Sequence, residues 1–189
     1  MRRYRPFALA CLCAVVIVLS SAADLSAATV CESSLPFNID AGLLEPIALG
    51  LLHRSPTFQQ QCLRIAATVV LRVRVRLTPR LAGARGETTI QRFDTGALRA
   101  DVLVAVGGDY VELLAHEFEH VLEQVERVSL SDQVTDNRAW LTATGAFETA
   151  RAMEVGLRAR QESDLSAADA IEAERRLRRG YFFELRVRR

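Results

Sequence analysis

Asp109-Tyr110-Val111-Glu112-Leu113-Leu114-Ala115-His116-Glu117-Phe118-Glu119-His120-Val121-Leu122-Glu123-Gln124-Val125-Glu126-Arg127 decides how the rest of the chain is read. Gly107-Gly108 turns the chain just before it, and Asp109 with Glu112 forms a D-x-x-E pair suited to capping a helix start. Val111, Leu114, Ala115, Phe118, Leu122 and Val125 recur at the helical period and predict a broad apolar face. Glu112, Glu119, Glu123 and Glu126 fall on another stripe, read as the solvated side. His116 and His120 belong to neither face; they border the glutamate stripe, where a group at the edge of a cleft would stand.

Four positions separate the two histidines, so on a helix they lie one turn apart on the same side. That spacing lets two imidazoles reach one tetrahedral metal ion, and H-E-x-x-H on a helix is a pattern that binds zinc. Glu117 stands about 100° round the helix, near enough to hold a metal-bound water without being a ligand itself. The alternative is two surface histidines beside an acidic stripe.

A zinc site that does chemistry keeps three protein ligands and one open position. The remaining histidine, His53, lies far upstream at the end of a helix and reads as a surface residue, so the third ligand is expected to be a carboxylate. Read as one long helix, Trp140 to Arg160 puts Leu141, Thr144, Glu148, Ala152, Val155 and Ala159 on one face, with Glu148 its only charge. An inward carboxylate needs a partner, and a metal or a buried arginine would serve. The rival, Glu154, has Arg151 and Arg158 three and four positions away and is expected to pair at the surface.

Upstream of the motif, Ala41 to His53 reads as helical. Ser55-Pro56 then opens a helix that carries Cys62 and ends near Ala67, with serine as cap and proline in the first turn. Leu71, Val73, Val75 and Leu77 alternate with Arg72, Arg74 and Arg76, the clearest strand in the chain. Thr88 to Phe93 and Asp101 to Val106 are two more, the last apolar on both faces. Downstream, Ser129 to Asn137 reads as a polar loop, Ser166 with Asp169 caps a final helix ended by Gly180, and Tyr181 to Val187 adds a strand. The expected class is α+β: a small antiparallel sheet packed against helices on one side, with the motif helix following a strand.

The 189 residues suit one domain. All 24 basic residues are arginine and 23 acidic residues nearly balance them, so no strongly basic face and no nucleic-acid partner are implied. The N-terminus reads as a signal peptide over residues 1–28: Arg2, Arg3 and Arg5, an apolar run from Phe7 to Leu19, and small residues that place cleavage after Ala23 or Ala28. The run is shorter than the roughly 20 residues of a comfortable membrane span. Residues 29–189 would then form one exported domain, periplasmic or secreted, without stable membrane insertion. Cys11 and Cys13 lie in the leader; Cys31 and Cys62 remain, and an oxidising compartment favours a disulfide between them over two buried thiols.

Over residues 101–160, about a third of the chain, the pattern resembles the gluzincin group of zinc metallopeptidases. There H-E-x-x-H on one helix is completed by a glutamate on the next; here the matching residues are His116-Glu117-Phe118-Glu119-His120 and Glu148 in Phe147-Glu148-Thr149-Ala150-Arg151-Ala152. The metzincin pattern fails, because Glu123 and Glu126 stand where it requires a glycine and a third histidine. The resemblance implies a zincin-like core, a zinc ion on His116, His120 and Glu148, and Glu117 as the base that activates a zinc-bound water for hydrolysis of a peptide or protein substrate. Larger members place an acidic residue four positions after the glutamate ligand. Here that position is Ala152, so support for a histidine is sought at Asp132, Asp136 or Asn137. Those members also carry a late histidine or tyrosine at the oxyanion; Tyr181 is the match, with Arg151 a looser one. Two other readings stay open: a non-catalytic exported module in which zinc fastens two helices, and an exported scaffold with no metal.

Overall fold

A computed structural model describes residues 34–143, 145–163 and Arg175. The leader, Cys31, the expected helix after Ser166 and the expected strand at Tyr181 lie outside the described residues. Strand β1 (Ile39–Asp40) and a 3-10 turn (Gly42–Leu44) lead into helix α1 (Glu45–Arg54), followed by α2 (Pro56–Ala67). Then come β2 (Leu71–Thr78), β3 (Gly86–Arg92), β4 (Leu98–Ala105), the motif helix α3 (Tyr110–Val125), a short α4 (Leu130–Thr135), a hairpin of β5 (Ala139–Leu141) and β6 (Phe147–Thr149), and α5 (Ala150–Ser163). Among the described residues no helix is long and apolar enough to cross a membrane.

The main sheet runs β1-β2-β4-β3. It is mixed rather than antiparallel: β1 and β4 both lie parallel to β2, and only β3 pairs antiparallel, with β4. The β3–β4 hairpin folds back so that β4 inserts between β2 and β3. Alternation along β2 is as expected, with Leu71, Val73 and Val75 buried and Arg72, Arg74 and Arg76 exposed. β4 departs from its reading as apolar on both faces: Ala100, Val102 and Val104 are fully buried, but Arg99, Asp101 and Leu103 alternate with them on the opposite, less buried face. Among the described residues the architecture is α+β, with helices on one side of the sheet.

The capping chemistry read from the sequence is present at both helices that matter. Ser55 Oγ accepts from the Phe58 amide at 3.0 Å, and Asp109 Oδ1 accepts from the Glu112 amide at 3.3 Å. On α3, Leu114, Ala115, Phe118 and Leu122 are buried as expected, and Phe118 stacks on Phe58 of α2 with ring centroids 5.2 Å apart. Truncating Phe118 to alanine would cost about 3–5 kcal/mol, the usual range for a buried aromatic ring. This apolar anchoring seats the motif helix between α5, α2 and the β3–β4 side of the sheet, with its histidines at the β3 border.

The long helix expected over Trp140 to Arg160 is two things. Residues 139–149 form the β5–β6 hairpin, with Leu141 paired to Phe147 and Trp140 to Glu148, and only from Ala150 does the chain turn helical. Gly145, at φ +80°, supplies the left-handed turn that a helix would not tolerate cheaply. Thr149 then caps α5, its hydroxyl accepting from the Ala152 amide at 3.0 Å. The loop expected over Ser129 to Asn137 contains α4, capped by Ser129.

Candidate metal centre

Two elements build the site. α3 presents His116, Glu117 and His120, and β6 presents Glu148, so the third carboxylate comes from a strand rather than from a helix face. Glu148 Oε1 lies 3.2 Å from His116 Nε2 and 3.4 Å from His120 Nε2. The imidazoles stand 4.9 Å apart, nearly perpendicular, and one ligand atom from each of the three residues lies within 4.8 Å of the others. Two donors each about 2.0–2.1 Å from a tetrahedral ion are about 3.3 Å apart. The donor set and the two Glu148–histidine distances therefore fit a metal ion.

Support for His120 comes from Glu123, one turn along α3. Its Oε2 lies 3.0 Å from His120 Nδ1, and its Oε1 accepts from Thr149 Oγ1 at 2.9 Å. A carboxylate on the far ring nitrogen orients the imidazole and leaves Nε2 for a metal. Glu123 is only 1% exposed, which corrects its reading as part of a solvated stripe; Glu119, at 2%, is corrected likewise. Asp132, Asp136 and Asn137, where this support was expected, are exposed. The clue lay in the spacing: Glu123 is three positions past His120 and so on the same side of the helix. Thr149 closes the circuit, since it binds Glu123, caps α5 and donates its amide to Glu148 Oε1 at 2.9 Å.

Glu117 is set apart from the three ligating groups. Its Oε1 is 4.0 Å from His116 Nε2, and its Oε2 accepts from Thr88 Oγ1 on β3 at 2.7 Å. The strand passes so close here that a Cβ on Gly86 would lie 2.1 Å from Glu117 Oε1. Burial raises the Glu117 carboxyl above its ordinary range, with Glu148 adding to the rise; the two imidazoles and the Thr88 hydroxyl pull it back only in part.

His120 and Glu148 each favour the other's charged form. Burial opposes a charged His120, but the bonds to Glu123 and Glu148 and the nearby Glu117 outweigh it and push the imidazolium up to about 10. Burial likewise opposes ionised Glu148, and the two histidines more than offset it, holding the carboxyl well below its ordinary range. The site opens into a cleft of about 430 Å³ between the β3 side (Ala84, Gly86, Thr88) and the hairpin side (Ala146, Phe147, Glu148).

The other candidate residues lie elsewhere. Glu154 is exposed and pairs with Arg158. His53 is exposed at the end of α1. Arg151 does not line the cleft; it reaches behind α3 to pair with Glu119 and Glu126. Cys62 is buried on α2 in the core, while Cys31 and Tyr181 lie outside the described residues. No protein-family profile matches the chain, and neither does any curated protein or solved structure.

Proposed function

We propose that this protein is an exported zinc-dependent metallopeptidase of gluzincin type, with His116, His120 and Glu148 as the zinc ligands and Glu117 as general base. The observation that carries the reading is Glu117: a buried carboxylate beside the ligand cluster, outside it, and tied to β3 at the wall of the cleft. A metal that only fastened two elements would have no use for such a group. The gluzincin pattern supports the same assignment, with one departure, since Glu148 stands on a strand just ahead of the helix.

Zinc, once bound, supplies Lewis acidity, which lowers the pKa of water toward neutrality and polarises the scissile carbonyl. Glu117 accepts the proton of the attacking water and passes it to the leaving amine, a role suited to a carboxyl raised by burial. Thr88 fixes one oxygen of Glu117 so that the other faces the cleft. Glu123 keeps the proton of His120 on Nδ1.

β4 cannot pair with an extended substrate, because β2 and β3 occupy both of its edges. β1 and β3 are the edge strands of the main sheet, and of the two it is β3 that borders the cleft. Ala105 donates to the Arg85 carbonyl at 2.8 Å, and Phe93 to that of Ala97 at 3.0 Å. Ladder bonds to β4 thus fall on the odd residues of β3, and Gly86, Thr88 and Ile90 turn their backbone groups outward. That edge can hold a peptide by strand addition beside the metal.

The test is Glu117→Gln. It should leave zinc content and folding intact and reduce cleavage of an unstructured peptide library by about 10²–10⁴-fold, the usual worth of general-base assistance. A zinc-loaded wild type that cleaves nothing in the library would instead support the non-catalytic module. Equal cleavage by wild type and variant would place the activity at another site.

A further inference from the structure

We infer that Arg151 is a positioning residue for the metal: it clamps the β6–α5 junction to the back of the motif helix and so sets where Glu148 stands. The inference rests on the metal-site reading and not on peptidase activity. Arg151 follows Glu148 by three residues, in the first turn of α5. Its guanidinium pairs with Glu119, and Nη1 lies 3.1 Å from Glu126 Oε2. Glu119 lies on α3 and Glu126, seven residues on, caps its C-terminal end, so one arginine grips the helix about two turns apart.

The grip is anchored in the interior at Glu119. Glu119 is 2% exposed, and its other oxygen accepts from Gln61 Nε2 at 2.7 Å. Arg64, from α2, approaches the same two carboxylates, lying 3.5 Å from Glu119 and also paired with Glu126. Two arginines and two glutamates balance, which a buried carboxylate requires. The two arginines differ in what they hold. Arg64 ties α2 to α3, whereas Arg151 ties α3 to the segment that begins with the third ligand.

Displacement at Arg151 has a short route to the metal. Thr149 bonds the α5 backbone, Glu123 and, through its amide, Glu148, so α5 and the ligand move as one piece. Farther along α5, Gly156 permits close seating on α3, since a Cβ there would lie 3.0 Å from the Glu112 carbonyl oxygen and 3.1 Å from His116 Cβ. Metal sites tolerate deviations of only about 0.2 Å in ligand distance. A loosened junction therefore appears as lost affinity.

The experiment compares Arg151→Ala with Arg64→Ala in the purified protein, by chelator competition for zinc, the absorption spectrum of the cobalt-substituted protein, and metal-free melting. Arg151→Ala should weaken zinc binding by about 10- to 100-fold, the usual effect of losing a group that orients a ligand. It should also alter the cobalt spectrum, with Arg151→Lys intermediate in both. Arg64→Ala should lower the melting temperature comparably yet leave zinc affinity and the cobalt spectrum near wild type. Equal effects of the two arginines on zinc, or none from Arg151, would overturn the positioning role and leave the cluster as fold support. If Arg151→Ala does not fold, Arg151→Lys against Arg64→Lys carries the same comparison. A wild-type protein that takes up no zinc overturns the site itself, and this inference with it.

Discussion

The motif helix and the β5–β6 hairpin deliver ligands to one point by opposite means. On α3, His116 and His120 are spaced by the helix itself, and the apolar side that includes fully buried Leu114 and Phe118 fixes how they face. On the hairpin, Glu148 is placed by the turn at Gly145 and the pairing of Trp140 with Glu148, and the hairpin is seated on α3 by the bond of Thr149 to Glu123. A helical period thus writes half of the site, and a tight turn with a long-range bond writes the other half. Damage should differ accordingly. Changes on α3 should act on the metal directly, whereas changes around the hairpin should act by letting Glu148 drift.

The largest effect is expected from the helix. His116→Ala or His120→Ala removes one of three donors and should abolish the stoichiometry of about one zinc per chain, measured by metal analysis after dialysis. Full retention in both would break the comparison at its root. Glu148→Ala should weaken binding strongly but leave a residual two-histidine site, whereas Glu154→Ala should leave zinc untouched, because Glu154 pairs with Arg158 in solvent. The reverse ranking would mean that the hairpin contributes nothing.

Much of the architecture was legible in the sequence because it is written locally. The Ser55 and Asp109 caps, the alternation of β2 and the apolar side of α3 each need only a few neighbouring residues. The hairpin was not legible. Leu141, Thr144, Glu148, Ala152, Val155 and Ala159 match the helical period by coincidence, and the decisive turn at Gly145 is a single residue. What points to Glu148 in the sequence is therefore its chemistry, a carboxylate in need of a partner, and not the helix face on which the period puts it. Sheet direction escaped for a related reason: the β4 sequence does not say that it will insert between β2 and β3. The charge of Glu119 and Glu123 suggests solvent, and only the arrival of Arg64, Arg151, Gln61 and Thr149 from other elements makes their burial tolerable.

An intermediate effect is expected where the two regions meet. Glu123 accepts from both His120 and Thr149, so Glu123→Gln keeps the shape and loses one acceptor; zinc affinity should fall by about 10- to 100-fold. The same region sets the pH dependence. Metal-free His120 is raised from 6.5 to about 10, so its contribution to stability is complete below about 6.5 and is lost as pH rises through about 10. Zinc must displace that proton, so binding near neutral pH should release protons in calorimetry across buffers of different ionisation enthalpy, and affinity should rise with pH toward 10. Zinc uptake with no proton release would show that His120 is neutral before the metal arrives.

The smallest effect sharpens the comparison at the far end of α5. Glu162 accepts from Ser55 Oγ at 2.7 Å, the Thr57 amide at 2.9 Å and Thr57 Oγ1 at 2.8 Å, fastening α5 to the start of α2. Burial, the largest single cause, opposes its charge; the three hydrogen bonds and Arg158 together outweigh it and hold its carboxyl below the ordinary range. A folded-state pKa below the unfolded value contributes stability above about 4.5 that disappears as pH falls through the folded value. Glu162→Gln should therefore lower the melting temperature at pH 7 by a few degrees and flatten its decline between pH 6 and 3. Zinc affinity should not change, because Glu162 lies near the end of α5 opposite the β6 junction, where Arg151 and Thr149 already hold Glu148. If Glu162→Gln weakens zinc binding as much as Arg151→Ala does, α5 is positioned as a whole rather than at its first turn, and the division between a metal-setting end and a merely stabilising end is wrong.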